Sequence, residues 1–209
     1  MRRTLIIVLS VLFLFATGAF ADNLVINPSF ETLPAGGLPY GCGGYGCYVA
    51  AGIPGWINSG TSGQFQPNAG IFNYVPGPIT VAYTQNGGSA ITQSVTVAPY
   101  TNYVFSVDIG LRTDTDWSNG IPGQAALVIN GVTYYALGVT PSDGNWSTYT
   151  LAFNSGDVNA VTIELLQGNA QQGDFDNASI TPTPEPSSLI LLGTGLIGFA
   201  GAVRRKFAK

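Results

Sequence analysis

The middle of the chain alternates apolar and polar residues in short runs that end at glycine, proline, asparagine or aspartate. Residues 90–97 set isoleucine and valine against threonine and serine, and residues 103–111 place every second residue from Tyr103 to Ile109 on one apolar face. A period of two puts such residues on one face of a β-strand. Further strands are predicted at residues 23–27, 125–137, 146–154, 160–167 and 174–181.

The run at residues 125–137 is interrupted by Asn130-Gly131, which is a strong signal for a two-residue β-hairpin. No segment between residues 22 and 181 combines sustained helical spacing with capping residues. Seven or eight short strands separated by turns predict an all-β domain, either a β-sandwich or a jelly roll. A domain of this length can bury one core.

The first 21 residues predict a cleavable secretory signal peptide. Arg2 and Arg3 precede an eleven-residue apolar stretch, and Ala19 and Ala21 are the small residues that a signal peptidase reads. The alternative is an N-terminal membrane helix, but the stretch is shorter than the roughly 20 residues that a span needs. The mature chain is therefore expected to begin near Asp22.

Charge is distributed very unevenly along the chain. Six of the seven lysines and arginines lie in the first three or last six residues. Between Asp22 and Pro184 there are ten acids and one cation, Arg112, for a net charge of about −9. Such a surface repels phosphate backbones, so nucleic-acid binding is not expected. The chain has no histidine, which removes the commonest general base and transition-metal ligand.

The two cysteines, Cys42 and Cys47, lie in a glycine-rich segment that the sequence predicts to be a loop. Export places them in an oxidising compartment, where they are expected to form a local disulfide. A bridge between residues so close in sequence holds a loop rather than the whole fold. Two thiolates without histidine are too few for a structural zinc site.

Several segments occur in an order that resembles the galactose-binding-like jelly rolls, which include carbohydrate-binding modules of secreted bacterial proteins. The segments are NLVINPSFE at residues 23–31, IPGWINSGTSGQFQPN at residues 53–68, residues 81–110, and GDFDNASIT at residues 173–181. The resemblance covers most of residues 23–181. It implies a jelly-roll β-sandwich and a role in binding carbohydrate.

The same resemblance implies a structural Ca²⁺ held by Glu31 and Asp176. In these jelly rolls the acid that ends the first strand and one in the last strand approach each other. With backbone carbonyls they supply the oxygen ligands that this hard cation prefers. The alternative is that both are solvated acids at strand ends. No other cofactor is expected.

Aromatic residues are the candidates for a glycan site, because sugars stack on flat rings and bond to amides and carboxylates. Trp117 is the best exposed candidate, in a polar segment with Arg112, Asp114 and Asp116. The alternative for any tryptophan is the core, because large aromatics are mostly buried. Trp56 and Trp146 stand at strand starts and are expected to pack in the core.

Catalysis has little support in the sequence, and a non-enzymatic protein is predicted. A Ser-His-Asp triad requires a histidine, and no Gly-x-Ser-x-Gly motif is present. Two Asp-x-Asp pairs, at 114/116 and 174/176, could serve a glycoside hydrolase. Aspartates in this arrangement are more often turn or calcium residues.

The C-terminal segment, residues 182–209, begins with prolines that exclude helix and central strand. An apolar run at residues 187–203 follows, which as a short transmembrane helix would span about 25 Å against a hydrocarbon core of about 30 Å. The basic cluster at residues 204–209 is expected to stay cytoplasmic, with the domain at residues 22–181 outside. Pro184, Glu185 and Pro186 stand before this run, and Arg204, Arg205 and Lys206 follow it.

This order of Pro-Glu-Pro, short helix and basic cluster closely resembles the PEP-CTERM sorting signal. The resemblance implies a Gram-negative bacterium that makes exopolysaccharide. It also implies an exosortase, a membrane cysteine transpeptidase that cuts near Pro-Glu-Pro and discards the helix. By this resemblance the three residues of Pro-Glu-Pro and the basic residues 204–206 carry sorting and processing. The inner membrane would then be a temporary partner, as it is for a GPI signal. The alternative is a permanent tail anchor.

Together these features predict an exported, exosortase-sorted protein of the cell surface or extracellular matrix, associated with exopolysaccharide or biofilm and binding carbohydrate. The first alternative is a structural surface protein with no specific ligand. The second is a small glycan-active enzyme.

Overall fold

A computed structural model describes residues 22–50, 52–114, 120–183, 193, 195–200, 203 and 204. Within this part of the chain the domain is built from β-strands, and the all-β prediction is confirmed. The strands are β1 Tyr40–Gly43, β2 Gly46–Ala50, β3 Ile57–Pro67, β4 Val81–Thr96, β5 Asn102–Gly110, β6 Gly123–Ile129, β7 Val132–Tyr135, β8 Trp146–Asn154, β9 Ala160–Gln167 and β10 Gln172–Pro182.

The strands form two layers that share β4. The first layer, sheet one, has the order β1-β2-β3-β4-β10-β5-β8. The second layer, sheet two, consists of the C-terminal half of β4 followed by β9, β6 and β7. All of these pairings are antiparallel. The long β4 passes between the layers because residues 82–85 pair with β10, whereas residues 90–96 pair with β9.

The main core lies between the two layers and follows the predicted alternation. Phe105, Val107 and Ile109 of β5 face Ile163 and Leu165 of β9, and all five side chains are fully buried. Burying such large apolar side chains contributes about 1.5–3 kcal/mol each. Trp56 belongs to this core, as predicted.

A second, smaller apolar cluster lies on the other face of sheet one. The loop at residues 68–80 crosses this face and packs Ile71 and Phe72 against Tyr83 and Trp146. The Phe72 and Trp146 rings are 4.7 Å apart, and the Trp146 indole N–H donates to the Tyr74 carbonyl at 2.9 Å. Trp146 is therefore a packing residue, as predicted. This outer face of sheet one carries most of the buried acids and the candidate site.

The strand predictions are confirmed at β8 and β9 and at the hairpin, where Asn130 and Gly131 both have positive φ. Residues 23–27, predicted as a strand, are not one. The side chain of Asn23 accepts the Ile180 N–H at 3.1 Å and donates to the Ala178 carbonyl at 3.0 Å. The Asn23 side chain therefore occupies two backbone groups of β10 that the backbone of a neighbouring strand would otherwise bond.

Candidate functional site

Strand β10 contributes Gln172, Asp174 and Asp176 to the outer face of sheet one. Their spacing of two gives them a common face, while Phe175 between them points into the main core. All three are almost completely shielded from solvent. Buried polar side chains in a row on one strand need partners, and those partners define two distinct regions of this face.

At the Gln172 end a cleft of about 390 Å³ opens between the β1–β2 hairpin and the centre of sheet one. We call it the tyrosine cleft. It is lined by Tyr45, Gly46, Tyr48, Ala50, Thr61, Phe65, Tyr83, Gln85, Arg112 and Gln172.

The aromatic walls of the tyrosine cleft combine exposed and buried rings. Tyr45 is 55% exposed and Tyr48 is 41% exposed, whereas Phe65 and Tyr83 are buried beneath them. Tyr83 stands edge-on to both Tyr48 and Phe65, with ring centroids 6.4 and 5.9 Å apart. Such edge-to-face contacts stabilise a fixed arrangement of rings. The cleft therefore presents partly open phenol rings on a rigid aromatic base.

Arg112 is buried in the wall of the cleft and is held on several sides. Its Nε and Nη2 donate to the two carboxylate oxygens of Asp114, each at 2.9 Å. Its guanidinium carbon lies 5.4 Å from the centre of the Tyr45 ring and 5.6 Å from that of Phe65. Paired donation to one carboxylate and stacking on aromatic rings suit the flat guanidinium group.

Two glutamines connect Arg112 to the floor of the cleft. The Oε1 atom of Gln172 accepts from Arg112 Nη1 at 3.1 Å and from Gln85 Nε2 at 2.5 Å. Gln172 Nε2 in turn donates to Asp174 Oδ1 at 2.5 Å. The cleft thus carries amide groups, phenol hydroxyls and one neutralised cation.

Asp174 lies behind this network and is fully buried. Burial raises its pKa to about 7, against the lowering effects of Arg112 and the Gln172 hydrogen bond. Its Oδ2 atom has no hydrogen-bond partner among the described residues. At neutral pH this carboxyl group therefore holds its proton for a substantial fraction of the time.

The β1–β2 hairpin that carries Tyr45 and Tyr48 is closed by the Cys42–Cys47 disulfide, as predicted. Gly46 is required at its tip, because it has a φ of +112° and a Cβ there would lie 2.0 Å from the Gln66 carbonyl oxygen. The structure differs from the predicted loop, since both flanks of the bridge are strands and β2 pairs with β3. The disulfide thus holds one wall of the tyrosine cleft.

At the other end of the outer face Glu31, Asp108 and Asp176 form what we call the acid cluster. Glu31 Oε1 accepts the N–H groups of Ile79 and Thr80, at 2.9 and 2.7 Å. Asp176 Oδ2 accepts the Gly77 N–H at 2.7 Å, from the same loop. The resemblance-based expectation that Glu31 and Asp176 approach each other is consistent with these bonds to one loop.

Burial, together with the neighbouring Asp108 and Glu31 charges, raises the pKa of Asp176 to about 7, although hydrogen bonds from Gly77 and Asn177 lower it. Within the described residues, no group of three acidic, histidine or cysteine side chains is arranged to hold a metal ion by itself. Any bound cation would need backbone or water oxygens as further ligands.

The other sequence-predicted site residues divide into two groups. Arg112 lines the cleft and Asp114 neutralises it, while Arg204 belongs to a helical stretch. The remaining predicted residues fall outside the described residues: Ala19, Ala21, Asp116, Trp117, Pro184, Glu185, Pro186, Arg205 and Lys206. In the part of the chain that the structure describes, no helix is long and apolar enough to cross a membrane. The predicted span at residues 187–203 lies largely outside that part.

Sequence reasoning missed most of the cleft. Tyr45 lies in the β1–β2 turn, Tyr48 in β2 and Tyr83 in β4. Gln85 and Gln172 meet only because β4 pairs with β10. One signal was available, since the tyrosines of the Gly-Tyr-Gly-Cys-Tyr segment stand in a hairpin too short to bury them.

Solved structures that are similar to the chain include carbohydrate-binding modules. The tandem CBM22-1-CBM22-2 domain of Paenibacillus barcinonensis Xyn10C has a TM-score of 0.50 and 14% identity, and the match covers 81% of this chain and 49% of that one. At this identity the likeness shows the fold alone, and it agrees with the predicted jelly-roll sandwich. The isolated CBM22-1 xylan-binding domain of the same protein matches with a TM-score of 0.49 and 14% identity, over 79% of this chain and 97% of that one.

Two family models together match residues 21–206 of the chain. A search of curated proteins finds no significant match. The PEP-CTERM protein-sorting motif matches residues 182–206, which confirms the predicted sorting signal and indicates a secreted, exosortase-processed protein outside the cytoplasm. A second model, described as HpiC1 cyclase, matches residues 21–181, the whole of the β-sandwich. The chain therefore belongs to the HpiC1-like family and carries a PEP-CTERM sorting motif at its C-terminus.

Proposed function

We propose that the protein, after export and sorting, binds a glycan in the tyrosine cleft at the cell surface or in the extracellular matrix. The observation that carries this proposal is the pair of half-exposed rings, Tyr45 and Tyr48, beside the amide groups of Gln85 and Gln172. A sugar ring presents C–H groups to an aromatic face and hydroxyls to amides, so the two kinds of group suit the two faces of one ligand.

The location of the protein supports the same ligand class. A chain exported by a cell that makes exopolysaccharide meets polysaccharide at high local concentration, so even a weak site is occupied there. Retention in the exopolysaccharide or biofilm layer follows from such binding. The structural alternative, with no specific ligand, requires no saturable site.

Affinity electrophoresis in gels that contain the host's exopolysaccharide tests the proposal. The wild-type protein is expected to be retarded in a saturable manner, and Tyr45→Ala/Tyr48→Ala is expected to lose at least about tenfold in affinity. Tyr134→Ala/Tyr135→Ala is the matched control, because these two tyrosines are equally exposed but lie on β7 of sheet two. Equal loss in both variants, or no retardation of the wild type on any matrix glycan, contradicts the proposal.

The acid cluster is proposed to hold a structural Ca²⁺ through Glu31 and Asp176. Support comes from the donor set, because Glu31 and Asp176 accept N–H groups of one loop and Asp108 stands opposite Asp176. The only cation of residues 22–183, Arg112, is bound to Asp114. Carboxylate oxygens are the ligands that Ca²⁺ prefers, and the ion would supply the missing positive charge.

A second candidate function is enzymatic. It is favoured by the description of the matching family and by the unpartnered Oδ2 atom of Asp174. The matching family is described as a cyclase, and the buried Asp174 has a carboxyl oxygen without a partner next to the cleft network. A carboxyl group in this position could transfer a proton to a ligand only if Gln172 moved aside, because Asp174 does not line the cleft.

Incubation with small-molecule extracts of the host separates the two functions. A ring closure without loss of atoms leaves the mass unchanged, so products are sought as isobaric peaks with new retention times. The cyclase candidate requires such peaks with the wild type and with Asp157→Asn, and their loss with Asp174→Asn. Release of sugar fragments from matrix polysaccharide would instead indicate a glycan-active enzyme.

A further inference from the structure

The charge chemistry of the tyrosine cleft restricts its ligand. Arg112 is the only lysine or arginine between residues 22 and 183, so no other side chain of the mature domain can pair with an anionic ligand. The sole cation in the cleft thus determines whether a uronate or sulfate group finds a partner there.

The guanidinium group of Arg112 is already bonded to other groups of the protein, which balance its charge. Asp114 takes two of its N–H groups at 2.9 Å, and Gln172 takes a third at 3.1 Å. The rings of Tyr45 and Phe65 cover its faces, and the side chain is 5% exposed. An anionic group entering the cleft would have to displace Asp114 or lose its hydration without gaining an ion pair, and both are costly.

Among the described residues that line the cleft, the groups that remain open to a ligand are neutral. The hydroxyls of the exposed Tyr45 and Tyr48 can donate and accept. Among the described residues nothing donates to Gln85 Oε1, whose amide nitrogen is bonded to Gln172. These atoms match the O–H groups of an uncharged sugar.

We infer that the tyrosine cleft selects uncharged, hydroxyl-rich glycans and rejects glycans with acidic sugars, because Asp114 neutralises the only cation. This inference rests on the proposed glycan-binding function. It adds a role for Asp114, which sets specificity by holding Arg112 rather than by touching the ligand.

The test uses matched pairs of polysaccharides that share one backbone, such as a uronate polymer and its carboxyl-reduced product, and xylan with and without uronate branches. The protein recovered from the cell surface after export and exosortase processing is measured by affinity electrophoresis at low and high salt, because the basic cluster at residues 204–209 would itself attract acidic glycans. The wild type is expected to bind the neutral member of a pair at least about tenfold more tightly, with little effect of salt.

The decisive variant is Asp114→Asn, which leaves Arg112 charged but without its carboxylate. It is expected to gain affinity for the acidic member several-fold at low salt and to lose this gain at high salt. Asp157→Asn is the matched control. It removes one exposed acid in the turn after β8, at the end of the sheet opposite the cleft, since Asn154 pairs with Asn102 and Trp146 with Gly110.

The possible outcomes distinguish charge selection by the cleft from glycan binding itself. Salt-sensitive preference of the wild type for acidic glycans, or an equal response of Asp114→Asn and Asp157→Asn, overturns the charge selection but leaves glycan binding in place. Retention of neither member of any pair, or of the host's exopolysaccharide, overturns the proposed function and this inference with it.

Discussion

The two ends of the outer face of sheet one lie on the same strand, β10, but differ in their balance of charge. At the tyrosine cleft the Arg112 cation is neutralised by Asp114, and the remaining groups are phenols and amides. In the acid cluster Asp176 lies in register with Asp108 and near Glu31, and these carboxylates are partnered by backbone N–H groups, Asn177 and Thr148.

The difference arises from the neighbours that β5 supplies to β10. Asp108 of β5 stands opposite Asp176, whereas β5 ends at Gly110 opposite Asp174 and the chain then brings in Arg112. At the cleft end the charges are therefore balanced within the protein, and this end is suited to a neutral ligand. The other has excess negative charge and is suited to a cation. The following experiments disturb one end at a time.

The pH dependence of stability tests the buried acids at both ends. The pKa values of Asp174 and Asp176 are raised to about 7 in the folded state, so between their ordinary value and pH 7 the folded protein binds more protons than the unfolded chain. The free energy of unfolding, measured in chelator, is therefore expected to fall as pH rises from 5 to 7.5, by about 2 kcal/mol for each carboxyl.

Asp174→Asn and Asp176→Asn should each remove about half of that fall, while Asp157→Asn should leave it unchanged. A stability that is flat or rises over this range would contradict the charge assignment of both ends.

Arg112→Met removes the cation of the tyrosine cleft and leaves the acid cluster unchanged. It leaves Asp114 and the Gln172 network without a cation, and removing one partner of a largely buried pair costs about 3 kcal/mol. Urea unfolding measures the loss. Arg112→Lys keeps the charge but not the paired geometry and is expected to lose less. A loss below about 1 kcal/mol for Arg112→Met would mean that the pair is not structurally important.

Calcium should act on the acid cluster alone. At a concentration one hundred times its dissociation constant, Ca²⁺ is expected to stabilise the fold by about 2.7 kcal/mol, seen as a rise in Tm of about 5–10 °C. Asp176→Asn should abolish the rise, and Arg112→Met should retain it. An identical Tm in Ca²⁺ and in chelator for the wild type would show that no structural ion is held there.

The smallest expected effect on stability comes from the disulfide. Cys42→Ser/Cys47→Ser opens a ring with a sequence separation of 5, so the loss should be about 2 kcal/mol or less. Glycan affinity should fall several-fold, because Tyr45 and Tyr48 are then less well ordered. Unchanged affinity, measured by the same electrophoresis, would mean that the hairpin is held by its backbone bonds to β3 alone.

The elements that the sequence predicted well are those whose pattern is local. Strands β8 and β9 alternate cleanly, and Asn130-Gly131 specifies its own turn. Strands β1 and β2 were missed because their glycines and tyrosines have no apolar period. Their pairing depends on β3, which contributes Gly63 opposite Ala50, where a Cβ would clash with the Val49 carbonyl.

The site was less predictable because its groups meet through long-range pairing. Arg112 and Gln172 are 60 residues apart in the chain, and only the β10–β4 and β10–β5 registers bring them to one face. Arg112 and Asp114 could be singled out as charged residues in a polar segment, but their mutual pairing could not be read from spacing. Glu31 and Asp176 were associated through a family resemblance rather than through physics.

The location of the glycan site is the central claim, and tyrosine NMR tests it most directly. All ten tyrosines lie between residues 40 and 149, so ¹³C-tyrosine labelling reports on the cleft and on the rest of the domain in one spectrum. On titration with neutral oligosaccharides, the ring signals of Tyr45, Tyr48 and Tyr83 are expected to shift in a saturable manner. Those of Tyr134 and Tyr135 are expected to stay in place. Saturable shifts confined to Tyr134 and Tyr135, or binding with no shift at the cleft, would contradict the account.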